Sequence, residues 1–201
     1  MTSQADDLIL NVVGDQVALG PLDRRFLDRY VRWINDPGTV RTLDLMAIPM
    51  TSEGEAEWYE HVIRDRNRHF TIYERATMDP IGTCDIRDVD HVHRSCSIGM
   101  LIGEASSRGR GYGTEATRLL LDVAFTALGM HSVWLGVYSY NLAGIRAYEK
   151  AGFRHAGRRR ESRLLNGAMY DLLLMDIVRD EFESPVLGAI FAPDKPRVTE
   201  R

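Results

Sequence analysis

Cysteine and lysine are the scarce residues of this 201-residue chain. Only Cys84 and Cys96 occur, too few for a disulfide framework or a cysteine-based zinc site. Both fall in strand-like stretches joined by a short loop, so small buried apolar side chains are expected, with a redox pair as the rival reading. Lysine is confined to Lys150 and Lys195, which leaves few candidates for Schiff-base chemistry. No segment reaches the ~18 uninterrupted apolar residues of a membrane helix. The stretch Met1 to Asp7 is acidic where a secretion signal would be basic and then apolar. The formal net charge is only −4, without a global pull toward nucleic acid or an anionic membrane. Internal repeats and low-complexity tracts are also missing. These absences describe a soluble, cytoplasmic protein.

What is present is ordinary for a globular chain: 44% hydrophobic and 27% charged residues, enough apolar content for a core. The length favours one domain. Residues 16–23 alternate as a short strand. Residues 24–35 place Phe26, Leu27, Tyr30, Val31 and Ile34 at helical spacing, stopped by Asp36-Pro37-Gly38. Thr51-Ser52 followed by Glu55 resembles a capping box, opening a helix with Trp58, Tyr59 and Val62 on its stripe. Strand-like runs follow at 69–75, 81–87 and 94–103, the last two joined through a charged hairpin connection. A strong helical stripe covers 113–129 and ends at Gly129. An apolar strand follows at 132–138, then a short helix at 142–151, and strands near 153–163 and 169–178. The order β-α-α-β-β-β-α-β-α-β-β is a mixed α/β chain. Helix 113–129 is a crossover between strands 94–103 and 132–138, the unit that builds ligand sites at strand and helix ends.

The most informative stretch, Arg108-Gly109-Arg110-Gly111-Tyr112-Gly113-Thr114, lies between that strand and that helix. Glycines let backbone approach a ligand with no Cβ in the way. Free amides at a helix N-terminus attract anions, and two arginines add charge suited to phosphate oxygens. The loop specifies a phosphate or pyrophosphate cradle, with a plain glycine-rich turn as the bland alternative. It is not a P-loop, because no Gly-Lys dipeptide occurs. A dinucleotide fingerprint would need Gly or Ala where Thr114 stands, after a first strand rather than in mid-chain.

Several motifs in order resemble one family. Arg108-x-x-Gly111-x-Gly113 is similar to the pyrophosphate loop of GCN5-related N-acetyltransferases (GNAT). Asn141 to Phe153, with Tyr148 and Gly152, is similar to that family's Asn-x-x-Ala-x-x-x-Tyr-x-x-x-Gly-Phe segment. Gly157-Arg-Arg-Arg-Glu161, Asn166-Gly167, Tyr170-Asp171 and Trp33-Ile-Asn35-Asp36-Pro37 resemble its RimJ/RimL-like and polyamine N-acetyltransferase branches. The likeness covers 16–182, leaving 1–15 as an N-terminal extension and 183–201 as a tail. It implies an α/β GNAT fold: a mixed, mostly antiparallel sheet of about seven strands with a splayed parallel pair and about four helices.

The resemblance further implies acetyl-CoA as co-substrate. Its pyrophosphate would rest on the amides of Arg108, Gly109, Arg110, Gly111, Tyr112, Gly113 and Thr114. Its pantetheine arm would follow exposed backbone near Met100, Leu101 and Ile102, and Asn141 would contact it from across the opening. Tyr148 occupies the general-acid position: a phenol with pKa about 10 is protonated at neutral pH and can serve the leaving sulfur. The general base is open, with Asp85 and Glu104 as candidates at the strand ends. The acceptor, a primary amine on a small molecule or a protein N-terminus, would be lined by Trp33, Arg41, Asp44, Glu57, Trp58 and Tyr170. A homodimer is compatible with the resemblance. Two rival classes stay open: the same fold using another acyl carrier such as aminoacyl-tRNA, with Arg158-Arg159-Arg160 and Arg163 as an RNA track, or a non-catalytic acyl-CoA-binding module. The Asp85-x-x-Asp88-x-Asp90-His91-x-His93 stretch has metal-ligand residue types without a ligand spacing, so no metal is expected there.

Overall fold

Alternation along the strands builds one mixed sheet. The computed structural model describes residues 8–43, 48–65 and 67–194. Among them, eight strands pair in the order β1-β2-β3-β4-β5-β6-β8-β7. They are β1 (Val12–Val13), β2 (Val17–Pro21), β3 (Arg68–Glu74), β4 (Asp79–Asp90), β5 (Ser95–Ile102), β6 (Ser132–Tyr138), β7 (Arg154–Leu165) and β8 (Ala168–Val178). Every pairing is antiparallel except β5–β6. The eighth strand is β1, which lies in the expected extension. The Glu115 carboxylate ties its turn down, accepting from the amides of Asp15 at 2.5 Å and Gln16 at 2.9 Å.

Among the described residues six α-helices flank the sheet: α1 (Leu27–Asn35), α2 (Pro37–Val40), α3 (Ser52–Val62), α4 (Tyr112–Asp122), α5 (Leu142–Ala151) and α6 (Leu187–Ile190). Two of them, α2 and α6, exceed the expected four. At α2 the sequence Asp36-Pro37-Gly38 ends one helix and at once starts another. The Asp36 side chain caps the amides of Gly38 and Thr39 with Pro37 in the first turn, the arrangement that favours Asp at a cap and Pro just inside. At the far end, α4 runs into a π-helical turn, Val123–Ala127.

The period-2 pattern gives each face of the sheet its own cover. Cys84, Ile86, Cys96 and Ile98 point to one face, where Ala116, Leu119 and Leu120 of α4 bury against them, with Ile145 and Tyr148 of α5 packed alongside. The opposite face carries a smaller cluster in which Tyr30 and Trp33 of α1 meet Val62 and Tyr59 of α3 and Leu101 of β5. Cys84 and Cys96 are both buried and free, and burial pushes both thiols up, Cys96 to about 12. They are apolar core side chains, as expected. Residues 88–94 form a hairpin tip in which Asp90 Oδ1 accepts from the amides of Val92 and His93, each at 2.8 Å.

Candidate active site

The site begins where a pairing stops. The parallel strands β5 and β6 are in register only at Ser95↔Ser132, Cys96↔Val133 and Ser97↔Trp134. Beyond these, β5 continues to Ile102 on β4 alone, and β6 continues to Tyr138 on β8 alone. The sheet therefore opens along Met100, Leu101 and Ile102, whose β6-facing backbone groups have no strand to bond. All three side chains are half-buried. Buried backbone polar groups normally find partners, so an edge opened inside a sheet is a place built for a ligand.

The glycine loop sits beside this opening. A Cβ on Gly113 would meet Met100 Sδ at 3.7 Å and Ile102 Cγ1 at 3.9 Å, which places the start of α4 over the end of β5. Gly109 and Gly111 have φ of +74° and +89°, and Gly111 is the N-cap of α4. Only glycine takes this left-handed backbone readily. The space beside Gly109 is open to 4 Å. The Arg108 amide bonds to Ala105 O at 3.2 Å. Among the described residues, no acceptor within the protein engages the amides of Gly109 through Thr114. The loop fits an anion such as a diphosphate, held on backbone donors at the positive end of α4.

Each of the two loop arginines has partners within the protein. Arg108 turns its guanidinium into the protein, donating from Nε to Ile102 O at 3.0 Å and from Nη2 to Gly103 O at 3.1 Å. Arg110 pairs with Glu74 of β3 at 3.1 Å and lies over the Tyr112 ring at 4.8 Å. Tyr112 is buried, and its hydroxyl donates to the same Glu74; this bond, with Arg110 beside it, holds the Glu74 carboxyl below its usual range. Both arginines thus have partners within the protein beside the loop amides.

Across the opening, Asn141 caps α5, its Oδ1 accepting from Gly144 N at 3.0 Å. Tyr148 lies two turns on, half-buried, its ring edge-on to Phe153 at 6.0 Å. Burial, with the charge of Asp85 adding to it, pushes the Tyr148 phenol up to about 12. It is a phenol that stays protonated.

Asp85 occupies the other face of the same opening. It alternates with Cys84 and Ile86, pairs between His69 of β3 and Gly99 of β5, and its carboxylate rests on Gly99. Burial raises its pKa, against the opposing charges of Arg87 and His69. Arg87 Nε stands 2.7 Å from Oδ1, yet off the line of a hydrogen bond, so Oδ1 is buried without one. Glu104, the other candidate base, lies beyond the strand end with its backbone amide on Ile81 O at 3.0 Å.

The expected acceptor-lining residues separate. Trp33 is buried, and its indole fills the space where a Gly103 side chain would stand; it is a wall of the fold rather than an open surface. Glu57 points outward beside Ala56, Glu60, His61 and Arg64. The inward acid of α3 is Glu55, 5% exposed, its pKa raised by burial. It has no partner among the described residues. The capping box is thus half-formed: Thr51 caps Gly54 N at 3.1 Å, while Glu55 turns to the interior with Tyr59 and Val62, a choice the i, i+4, i+7 stripe signals. Trp58 is edge-on to His69 at 6.2 Å. Arg41 is exposed just past α2, and Tyr170 meets Tyr140 edge-on at 4.9 Å. Asp44 lies outside the described residues. In the arginine run, Arg158 faces Asp171 at 3.4 Å across β7–β8.

The open parallel pair, with a loop of backbone donors at the start of α4 beside it, suits a ligand that carries an anionic group such as a diphosphate. Comparison with known proteins agrees. The acetyltransferase (GNAT) domain family matches residues 16–154. The probable N-acetyltransferase YjcK of Bacillus subtilis (strain 168) is 32% identical over 138 residues, 66% of this chain and 76% of its own length. The spermidine N(1)-acetyltransferase of Vibrio cholerae is 26% identical over 172 residues, 85% of this chain and 97% of its own. The crystal structure of spermidine N-acetyltransferase from Vibrio cholerae in complex with CoA and spermine shares the fold, with a TM-score of 0.76 at 24% identity over 84% of this chain and 98% of that one. The chain belongs to the GNAT family. It is an N-acetyltransferase that uses acetyl-CoA and acts on an amine. Among the described residues no helix is long and apolar enough to cross a membrane.

Proposed function

We propose that this enzyme acetylates a small, cationic primary amine, with the Gly109–Thr114 amides holding the diphosphate, the Met100–Ile102 edge and Asn141 flanking the acyl arm, and Asp85 and Tyr148 handling the protons. The observation that carries this is the end of β5–β6 pairing at Ser97, directly beside a loop whose amides, Gly109 through Thr114, have no acceptor among the described residues. Bound acetyl-CoA supplies the activated acetyl group. A backbone amide on the opened edge of β5 is a preorganised donor for charge on the acetyl oxygen, and loss of one such donor elsewhere costs roughly 3–4 kcal/mol. Tyr148 keeps its proton until a sulfur anion needs it. Asp85 takes the proton that a charged amine must lose, since burial moves it toward the pH where a carboxylate can act as a base.

Glu55 is buried without a partner among the described residues, and the half-buried Asp85 has an Oδ1 without a hydrogen bond; two such acids favour an acceptor bearing positive charge. The relatives named spermidine N(1)-acetyltransferase support a small amine over a protein N-terminus. Calorimetry with CoA, followed by thiol-release assays with spermidine, aminoglycosides, amino acids and N-terminal peptides, tests this reading. Binding of CoA with turnover of a diamine or polyamine is expected; turnover confined to peptides would transfer the assignment to protein N-termini.

A further inference from the structure

We propose that α2 is a strap between the two walls of the opening, and that Arg108 and Tyr140 are positioning residues through which coenzyme A sets the acceptor side. This rests on the cofactor placement argued above. Arg108 belongs to the cofactor loop by sequence, yet its Nη2 donates to Thr39 Oγ1 of α2 at 2.5 Å and stands 3.7 Å from Asp36 Oδ2, the cap of that helix. With Nε and Nη2 also on Ile102 O and Gly103 O, one planar fork clips the end of β5 to α2, a task suited to the fixed donor geometry of arginine.

The β6 wall makes the matching tie. Tyr140, one residue before Asn141, donates from its hydroxyl to Arg41 O at 2.6 Å, and Arg41 is the C-cap of α2. The Tyr140 ring is held by Tyr138, stacked at 5.5 Å at the end of β6, and by Tyr170, edge-on at 4.9 Å on β8. A four-residue helix has no stability of its own. Its place is dictated by these ties, one from each wall, and by the burial of Thr39 and Val40. The chain then leads on to α3, which carries Glu55.

A ligand in the opening touches both anchor points, the amides next to Arg108 and the side chain next to Tyr140. Fixing the walls fixes the strap, so an acceptor binding second meets a segment already ordered. By linkage the acceptor tightens the cofactor in return.

Hydrogen exchange of the amides in residues 38–43, measured on the full chain with and without saturating CoA, tests the strap, with CoA binding followed by calorimetry. Bound CoA slows this exchange about fivefold or more in the wild type. Thr39→Val and Tyr140→Phe each lose most of that protection while still binding CoA, and Thr39→Ser, which keeps the hydroxyl, restores it. CoA that binds without slowing exchange in the wild type, or full protection retained in both variants, overturns the strap alone. No CoA binding at all overturns the cofactor placement beneath it.

Discussion

The carboxylate of Asp85 lies against Gly99: a Cβ built on Gly99 would stand 2.9 Å from Asp85 Oδ1 and 2.6 Å from Arg87 Nη2. Gly99 is two residues past the last parallel pair, so the acid sits at the root of the opening. Tyr148 lies on the opposite face of the sheet, packed with the α4 core. In the proposed placement, an acyl group between β5 and β6 would have Asp85 on one side and Tyr148 on the other.

Asp85 must be ionised to take a proton, so the rate rises with pH through its pKa, which burial places above 3.8. The groups facing it, His69 of β3 and Arg87 of β4, pull the other way, and Gly99 of β5 adds no charge. Asp85→Asn is expected to lower kcat on the order of 10²-fold, the usual weight of a proton-transfer group, and to abolish the acid limb of the kcat–pH profile. A variant profile that keeps the wild-type acid limb assigns the limb to another group.

Tyr148→Phe removes only the hydroxyl, since the ring and its contact with Phe153 persist. Turnover is expected to fall roughly 10²-fold, with CoA affinity by calorimetry nearly unchanged. With its pKa pushed up to about 12, the phenol is protonated through neutral and mildly alkaline pH. The alkaline limb of the wild-type profile below pH ~10 thus belongs to another group, and the variant keeps its shape. Equal kcat in the two proteins removes Tyr148 from the chemistry.

The residues that lead to this site were legible where local chemistry decided them. Glycine spacing before a helix announces a cradle, and the period-2 and period-3.6 stripes placed β3 through β8, α1, α3, α4 and α5 to within a few residues. Tertiary choices were not legible. Whether Arg108 reaches a ligand or three oxygens of its own protein depends on where α2 packs. Whether Glu55 or Glu57 faces inward was signalled only by the spacing of Glu55 with Tyr59 and Val62, a faint mark inside the acidic run of 53–60. Tyr140 and Glu115 carried no signal at all, because each acts on a segment about a hundred positions away.

Glu55 is held in an apolar setting that raises its pKa. In the unfolded chain it ionises near pH 4.3, while the folded protein keeps the proton to higher pH. Between these values the native state binds more protons, so stability falls as pH rises through that window and stays lower above it. Glu55→Gln is expected to raise Tm at pH 7 and to flatten the decline of Tm above pH ~4.3. An acceptor read by charge would show a raised KM in the same variant. Identical Tm–pH curves for the two proteins would place the Glu55 carboxyl in water.

Gly109→Ala probes the cradle with little collateral packing change, because nothing of the protein lies within 4 Å of the new methyl. The left-handed φ of +74° makes alanine unfavourable by about 1–2 kcal/mol. At this chain length that lowers Tm by roughly 2–4 °C per kcal/mol. In the proposed cradle the methyl would stand where the diphosphate approaches the backbone, so CoA affinity is expected to fall at least tenfold, about 1.4 kcal/mol. A variant with lowered Tm and wild-type CoA affinity would show that the ligand does not use this stretch of backbone.

Asp122 binds the end of the chain to α4. It is fully buried, and its carboxylate accepts from Thr126 Oγ1 at 2.7 Å, Ser184 Oγ at 2.6 Å, Val186 N at 3.0 Å and Leu187 N at 2.8 Å. Two of those donors are orphan amides at the start of α6, the position where a carboxylate is most favourable. Segment 184–190 is thereby docked, with Leu187 buried and Phe182 against Phe125 at 5.3 Å. Asp122→Ala strips four donors of one acceptor inside the protein. It is expected to cost about 3 kcal/mol in urea unfolding and to release the amides of Val186 and Leu187 to rapid hydrogen exchange. Asp122→Asn keeps one acceptor oxygen and should fall between alanine and wild type. Slow exchange at these two amides in Asp122→Ala would mean that Leu187 packing alone holds the segment.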